Sequence, residues 1–289
     1  MKPQYQHELM TSFLLWFDNH LLEKGEAYSN QTGKLFYFDD PRLPDTYKVY
    51  ASPYKQWVND SSITGTFGNA EGIERPAIPT GFNRSGRSDG IIFDFENGRI
   101  IETGGNFSTT ETLTGTFPVK DFNIYLTNET EEDLILENKF ELNSRYTQNA
   151  SGVKPYDQMT PAIFINSEIM RNEPFAFGGE DLTKNTIKAV VLAEDSYQLD
   201  GVLSIFADTA RKSFTKIPFT GHPTTEYGDV KNGVYFYTGI KSTYDGSNPY
   251  YIEDVTVSKF SERAQQQVPG KIKVGFIDFE VSTARFPRS

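Results

Sequence analysis

The stretch Thr186–Phe214 joins a strand pattern directly to a helix pattern, and it constrains the fold more than any other part of the chain. Ile187–Leu192 is a short apolar run rich in β-branched residues, which predicts a strand buried on at least one face. Ser196 is a suitable N-cap, and apolar residues then recur at three- and four-residue spacing as far as Phe214. The stretch therefore predicts a buried strand followed by a helix near 196–214 that packs on it.

A second amphipathic pattern lies near the N-terminus. Residues 4–24 carry an apolar stripe at helical spacing, and Gly25 follows in the C′ position. Trp16 widens the stripe, so it is a candidate contact for a second chain as well as for the core of its own chain.

Short strand patterns dominate the rest of the chain. Two β-like arms flank Asn97-Gly98 in Ile91–Thr103, and both turn residues tolerate positive φ, so the segment predicts a hairpin with a type I′ turn. Asn232-Gly233 before Val234–Tyr237 predicts another hairpin. Further strand patterns are Leu35–Phe38, Tyr47–Tyr50, Gln56–Val58, Thr112–Phe117, Asn123–Leu126, Val255–Phe260 and Lys271–Val281.

Together these patterns predict a β-rich α+β fold, with antiparallel sheets on which the N-terminal amphipathic helix and the helix near 196–214 pack. Periodicity is lost at 144–160, where Gly, Pro and polar residues accumulate, so we place a domain boundary there. The expected domains are 1–148, the N-terminal helix with a β-rich unit, and 149–289, an α+β unit.

The composition of the chain excludes several kinds of functional site. The chain has no cysteine, which excludes disulfides, thiolate metal sites and cysteine nucleophiles, and it has only three histidines, in distant segments. A net charge of −11 argues against sequence-reading of nucleic acid, which needs a basic surface. An acidic surface suits both ordinary solubility and a channel along which DNA slides, because basic groups would hold the phosphates.

Neither end of the chain nor its interior carries a membrane pattern. The N-terminal segment lacks a basic start followed by a continuous apolar run, so we expect no secretory signal. No apolar run reaches the roughly 18 residues that a membrane-spanning helix needs. We therefore expect no membrane partner.

One catalytic pattern matches literally. Gly86–Gly90 fits G-x-S-x-G around Ser88, and His222 lies downstream in the order of an α/β-hydrolase triad. Such a serine follows a buried strand and precedes a helix, whereas here a Gly- and Pro-rich loop precedes it and a strand pattern follows, which favours a turn. The acidic residues near Glu129 and Asp94 lack the spacing of a metal site. We expect no catalytic, cofactor or metal residues, and no enzymatic activity.

Aromatic residues in polar, loop-like settings are candidates for contacts with partners, as is the C-terminal tail, where two arginines flank a phenylalanine. Packing in the core or in turns is the alternative for each aromatic residue. The candidate interface residues are Trp16, Trp57, Phe175, Phe177, Tyr250, Tyr251, Arg285, Phe286 and Arg288.

Four segments, which together span most of the chain, resemble virion structural proteins of tailed bacteriophages. They are SFLLWFDNHLLEKGEAYSN, GRIIETG with the later DFNIYLTNETEEDLI, FAFGGEDLTKNTIKAVVLAEDSYQLDGVLSIFAD, and the ending KVGFIDFEVSTARFPR. The resemblance implies a non-enzymatic subunit of the neck, the head–tail connector or the tail, in several copies that form a ring around the DNA conduit.

The resemblance also implies the partners and the location. Partners would be copies of the chain itself, other neck, portal-side or tail proteins, and DNA that passes through the channel without sequence-specific binding. The protein would reside in the virion after assembly in the host cytoplasm. The alternative is a baseplate or tail-fibre protein that binds host-surface glycans, with Tyr250 and Tyr251 as a stacking platform.

Overall fold

The computed structural model describes residues 4–41, 43–64, 91–104, 107–110, 113–136, 141–142, 159–175, 178–224, 234–246, 248–261 and 272–286. Its helices are α1 Tyr5–Gly25, α2 Ser61–Thr64, α3 Glu131–Leu136, α4 Ser196–Ala207 and α5 Tyr237–Thr243. Its strands are β1 Tyr28–Phe38, β2 Lys48–Ala51, β3 Ile91–Asp94, β4 Arg99–Glu102, β5 Leu113–Lys120, β6 Asn123–Leu126, β7 Glu141–Leu142, β8 Met159–Thr160, β9 Ala162–Pro174, β10 Asp181–Ala193, β11 Ser213–Phe214, β12 Tyr250–Lys259 and β13 Lys273–Arg285. The predicted β-rich α+β fold is confirmed.

Two sheets carry most of the described structure. The first has the strand order β3-β4-β2-β1-β5 and is antiparallel throughout. The second has the order β11-β12-β13-β10-β9-β6, and only its β6–β9 pair is parallel. Strands β7 and β8 form a short parallel pair. Residues of the second sheet therefore come from both halves of the sequence.

Helices α1 and α4 pack on one face of the six-stranded sheet, which we call the core face. The predicted run Ile187–Leu192 lies in β10, and its alternate residues Ile187, Ala189 and Val191 belong to this core. From α1, Phe13, Trp16 and Phe17 enter the same cluster. The opposite face is covered in part by α3, whose Leu134 and Ile135 are buried there. The five-stranded sheet has its own apolar cluster.

The helix predicted near 196–214 is confirmed, with different ends. Asp195, not Ser196, is the N-cap, and its carboxylate accepts a hydrogen bond from the backbone N–H of Gln198 at 2.8 Å. The helix ends at Ala207, where Thr209 Oγ1 donates to the carbonyl of Phe206 at 2.6 Å. Phe214 lies in β11, so its apolar spacing reflects a shared core rather than a continued helix.

The predicted hairpin at Ile91–Thr103 is confirmed, but its turn differs. Asp94 pairs with Arg99, which leaves four residues in the turn instead of the two of a type I′ turn. Gly98 alone in the turn has positive φ, at 60°, and a Cβ there would lie 1.9 Å from the carbonyl oxygen of Tyr54. Asn97 instead donates through its backbone and side-chain N–H groups to the Asp94 carboxylate.

Other local expectations are corrected. Gly25 is the last residue of α1, and Glu26 takes the left-handed conformation expected of a C′ glycine. Residues 56–58 form no strand, and Trp57 makes only an isolated bridge to Val119. Val234–Tyr237 is likewise not a strand, because Tyr237 begins α5, and Asn232-Gly233 lies outside the described residues.

The domain division at 148/149 stays a prediction. Helix α1 and strand β6, both from residues 1–148, pack with the sheet to which the second half contributes most strands. Most of the segment 144–160 lies outside the described residues.

The aromatic contact between α1 and α4 generates a stability prediction. Phe17 is fully buried, and its ring stacks on Phe206 at 3.9 Å between centroids and 10° between planes. Replacing Phe17 by Ala removes this packing, so we expect a loss of about 3–5 kcal/mol in the free energy of unfolding, measured by urea denaturation. Tyr197→Ala on α4 is the control, because Tyr197 is 89% exposed and its loss costs about 0.5 kcal/mol or less. Equal losses in the two variants would contradict the assigned core.

Candidate assembly interface

Two backbone edges of the six-stranded sheet are open in the described part of the chain. On one side, β6 pairs only with Ala162–Ile165 of β9, so residues 166–174 of β9 pair with β10 but have no described strand on their outer side. On the other side, β11 and the residues before it cover only Tyr250–Ile252 of β12. We call residues 166–174 the β9 edge and residues 253–259 the β12 edge. Unpaired strand edges present rows of N–H and C=O groups that a further strand can satisfy.

Both edges are exposed, and both carry apolar side chains. Residues 168–174 of β9 are all exposed, including Ile169 and Met170 at about 45%. In the β12 edge all residues except Val255 are exposed, and Val257 is 37% exposed. The sequence predicted a strand at Val255–Phe260 but gave no signal that it lies at an edge, because edge position depends on which strands pair across the sheet.

The sheet face opposite α1 and α4 is acidic near these edges. We call this surface, where α3 does not cover the sheet, the open face. Carboxylates outnumber cationic groups among its described charged residues. These are Glu168, Arg171, Glu173, Lys184, Lys188, Asp254, Asp278 and Glu280.

Lys188 is the centre of the charged contacts on the open face. Its Nζ lies 2.8 Å from Glu131 Oε1, 3.0 Å from Glu168 Oε1 and 4.0 Å from Asp278 Oδ1. Burial opposes the charge of Lys188, but the hydrogen bonds to Glu131 and Glu168 outweigh burial and raise its pKa. Burial raises the pKa of Asp278, and the nearby Lys188 charge opposes that change. The ammonium is therefore fully engaged by carboxylates of its own chain.

Three of the predicted interface residues lie inside the chain. Trp16 packs between Phe206 and Phe214 on the core face, and it is only 8% exposed. Trp57 stacks on Phe117 at 4.5 Å, and Tyr250 is fully buried. The expectation that these three residues contact a partner is wrong, because their side chains are buried in the cores beside the two sheets. Their local sequence gave no signal of this burial, because burial is decided by the distant segments that pack over them.

The remaining candidates lie in different settings. Phe175, Tyr251 and Phe286 are at least half exposed, at 61%, 50% and 55%, so their role as contacts stays a prediction. Phe177 and Arg288 lie outside the described residues. Of these, Phe175 follows directly on the β9 edge, and Tyr251 lies just before the β12 edge.

Arg285 binds its own chain. Its guanidinium carbon lies 4.0 Å from the ring centroid of Tyr5, a cation–π contact, and its Nε donates to Thr183 Oγ1 at 2.7 Å. Burial raises the pKa of Tyr5 to about 12, while a hydrogen bond from Asn185 opposes that change. Arg285 therefore fixes the end of β13 to the start of α1.

A small cavity of about 50 Å³ lies where α1 meets the five-stranded sheet. Within it, Lys120 Nζ lies 2.6 Å from Asp18 Oδ1, and the Tyr235 hydroxyl donates to Asp18 Oδ2 at 3.1 Å. Burial and the Asp18 carboxylate raise the pKa of Tyr235. Trp57 Nε1 and Thr224 Oγ1 line the cavity without a hydrogen-bond partner among the described residues. A space of this size suits water and is far smaller than a site for an organic ligand.

The G-x-S-x-G pattern, which the sequence favours as a turn, is not tested by the structure. Gly86–Gly90, with Ser88, lies outside the described residues. His222 is 4% exposed, and its Nε2 lies 3.2 Å from both Thr11 Oγ1 and Ser12 Oγ on α1. Ser12 is fully buried, so this serine–histidine contact joins two segments of the core and has no room for a substrate. Searching the described residues finds no group of three or more His, Asp or Glu side chains that could hold a metal ion.

No protein-family model matches the chain, and a search of curated proteins finds no significant match. Among the helices that the structure describes, none is long and apolar enough to cross a membrane.

The Asp18–Lys120 pair generates a prediction about how the two sheets are joined. Lys120→Met leaves the buried Asp18 carboxylate without its cation, so we expect a loss of about 3–5 kcal/mol in the free energy of unfolding by urea denaturation. The double variant Asp18→Leu/Lys120→Met should lose less, because no buried charge is left unpaired.

Lys24→Met is the matched control for this pair. The Lys24–Glu23 pair is more than half exposed on both sides, and loss of such a pair costs about 1 kcal/mol or less. A Lys120→Met variant as stable as Lys24→Met would show that the pair contributes nothing to the junction.

Proposed function

We propose that this chain is a non-enzymatic structural subunit of a tailed-bacteriophage virion, located in the neck, the head–tail connector or the tail. Several copies would form a ring around the DNA conduit, next to other neck, portal-side or tail proteins. The subunit would assemble in the host cytoplasm and remain in the virion. The proposal starts from the sequence resemblance described above, and one structural observation carries it.

That observation is the pair of open edges on opposite sides of the six-stranded sheet. A subunit with a single open edge can pair only with the same edge of another copy, which gives a closed dimer. Two different open edges allow each copy to bind the next in a head-to-tail manner, and such contacts close into a ring when the rotation between copies permits it. This geometry supports a multi-copy ring over a monomeric or dimeric protein.

The acidic open face is consistent with a DNA conduit. Surplus carboxylates on that face repel the DNA backbone, so a channel that they line would let phosphates pass without binding them. The cationic group at its centre, Lys188, is hydrogen-bonded to Glu131 and Glu168 and is not available to hold a phosphate. The same face would be unfavourable for sequence-specific DNA binding.

The glycan-binding alternative has less support. Its stacking platform required Tyr250 and Tyr251 together, and Tyr250 is fully buried. Tyr251 remains half exposed, but one aromatic ring without a described aromatic neighbour on the surface makes a weak sugar site. We therefore prefer the ring subunit.

The proposal predicts the particle that the purified protein forms. In size-exclusion chromatography with light scattering, followed by negative-stain imaging of the same concentrated fractions, we expect closed rings of about six or twelve subunits with an axial hole. A compact trimer would instead favour a fibre protein. A monomer at the highest accessible concentration would contradict assembly through the chain's own edges.

A further inference from the structure

The two open edges have the strand directions that sheet continuation requires. Neighbouring strands are antiparallel along β9-β10-β13-β12, so β12 runs opposite to β9 within one subunit. A second copy that is moved sideways across the sheet without being reversed therefore brings its β12 edge antiparallel to the first copy's β9 edge. Antiparallel pairing gives regular, perpendicular hydrogen bonds and needs no change within either subunit.

The neighbouring strands limit where this pairing can occur. Strand β6 occupies the side of β9 as far as Ile165, and the residues around β11 occupy the side of β12 as far as Ile252. The contact between two copies must therefore lie after Ile165 in β9 and after Ile252 in β12. Because Glu168 is the extra residue of a bulge in β9 and stays outside the ladder, residues 253–258 fit beside 166–172 or beside 169–174 with the same faces aligned. A shift of one residue is excluded, because it would turn the apolar residues of one strand toward the opposite face.

Side-chain chemistry selects between these two registers. With 253–258 beside 166–172, Arg171 lies opposite Asp254 and Met170 lies opposite Val255. Neither Arg171 nor Asp254 forms an ion pair within the described part of the chain, and both are exposed. Opposite charges directly across a strand pair are stabilising, and like charges are destabilising.

The alternative register also gives Met170 an apolar partner, Val257, but it lacks the Arg171–Asp254 pair. It places Glu173 opposite Asp254, which brings two carboxylates together. It also sets Glu253 against Pro174, which has no N–H to donate. Glu168 and Lys259 come beside each other in it but form no pair, because Glu168 bonds Lys188 on the open face and Lys259 bonds Asp200 of α4 on the core face.

We propose that residues 253–258 of β12 pair antiparallel with residues 166–172 of β9 in a second copy of this chain, with Asp254 opposite Arg171 and the bulge residue Glu168 left outside the ladder, so that one continuous sheet runs from subunit to subunit. This pairing rests on the proposed function as a multi-copy ring and specifies its contact. Exposed Ile169 and Met170 become covered in the assembly, which accounts for apolar side chains on an otherwise charged hairpin.

Cysteine cross-linking tests the register directly, because the natural chain has no cysteine. The double variant Ile169→Cys/Thr256→Cys places two thiols directly opposite each other across the proposed contact, where Cα atoms are about 4.5–5.5 Å apart. The control, Ile169→Cys/Ser258→Cys, places them opposite only in the alternative register. Within one chain β9 and β12 are separated by β10 and β13, about 14 Å, so a disulfide must join two copies.

After mild oxidation, the first variant should give a ladder of covalent multimers on a non-reducing gel, at a yield about five-fold above that of the control or more. Each single-cysteine variant should give at most dimers. A ladder from the control alone would overturn the proposed register, and no ladder from either variant would overturn edge pairing.

Charge reversal gives a second readout that does not depend on thiols. Arg171→Glu and Asp254→Arg should each weaken assembly, measured as a shift of the scattering mass toward monomer. Combining the two reversals should restore assembly, because the opposite charges again face each other. Failure of the double reversal to restore assembly would count against the Arg171–Asp254 pair.

The two proposals can fail separately. Rings without a cross-link between the cysteines at positions 169 and 256 would support the proposed ring function and overturn the proposed strand pairing. A cross-linked ladder from open filaments would support the proposed strand pairing and overturn the proposal of a closed ring. Monomers without any ladder at high concentration would overturn both.

Discussion

Burial of the aromatic stripe of α1 is the constraint on which the rest of the structure depends. Phe13, Trp16 and Phe17 pack with Phe206 of α4 and Phe279 of β13, and their rings meet at centroid distances of 3.9–6.5 Å. Side chains of this size dominate the apolar area that a core buries. Both helices are therefore committed to one face of the six-stranded sheet, and they are not available to cover its edges.

Because α1 and α4 pack on one face, they leave the outer edges of the six-stranded sheet uncovered. Strands β9, β10 and β13 are each 13 residues long, whereas β6 is only four residues long and β11 only two. The short strands cover part of each outer edge, on opposite sides, and leave the β9 edge and the β12 edge without partners in the described residues. Proteins usually blunt such edges, so a long exposed pair on opposite sides favours assembly. Proposed function and proposed contact both follow from this unequal strand length.

Much of the fold could be predicted from the sequence, since local patterns report local structure. The apolar period of α1, the run in β10 and the hairpin around Gly98 each depend on neighbouring residues. The predicted helix ends were less accurate. Phe214 has the spacing of the α4 apolar stripe, but it lies in β11 and reaches the same core from there. At Trp57 and Tyr235 only single bridges form, because contacts with distant segments decide their conformation.

The candidate site was mostly not predictable. Exposure of an aromatic residue depends on which strands pack over it, so Trp16, Trp57 and Tyr250 were expected at a surface and lie in cores. Edge residues such as Arg171 and Asp254 have no local signature, because an edge is defined by strand order across the whole sheet. The sequence predicted a strand at Val255–Phe260, next to Asp254, and none at Arg171, and only the topology indicates that the outer sides of β9 and β12 are open.

Hydrogen–deuterium exchange, compared between dilute monomer and concentrated assembly, tests the central claim most directly. Backbone amides that gain a hydrogen-bond partner exchange more slowly. We predict slower exchange on assembly in residues 166–172 and 253–258 together, with little change in α1 and α4, whose amides are already protected. Protection that appears in other segments while both edges continue to exchange rapidly would contradict an assembly built through the sheet.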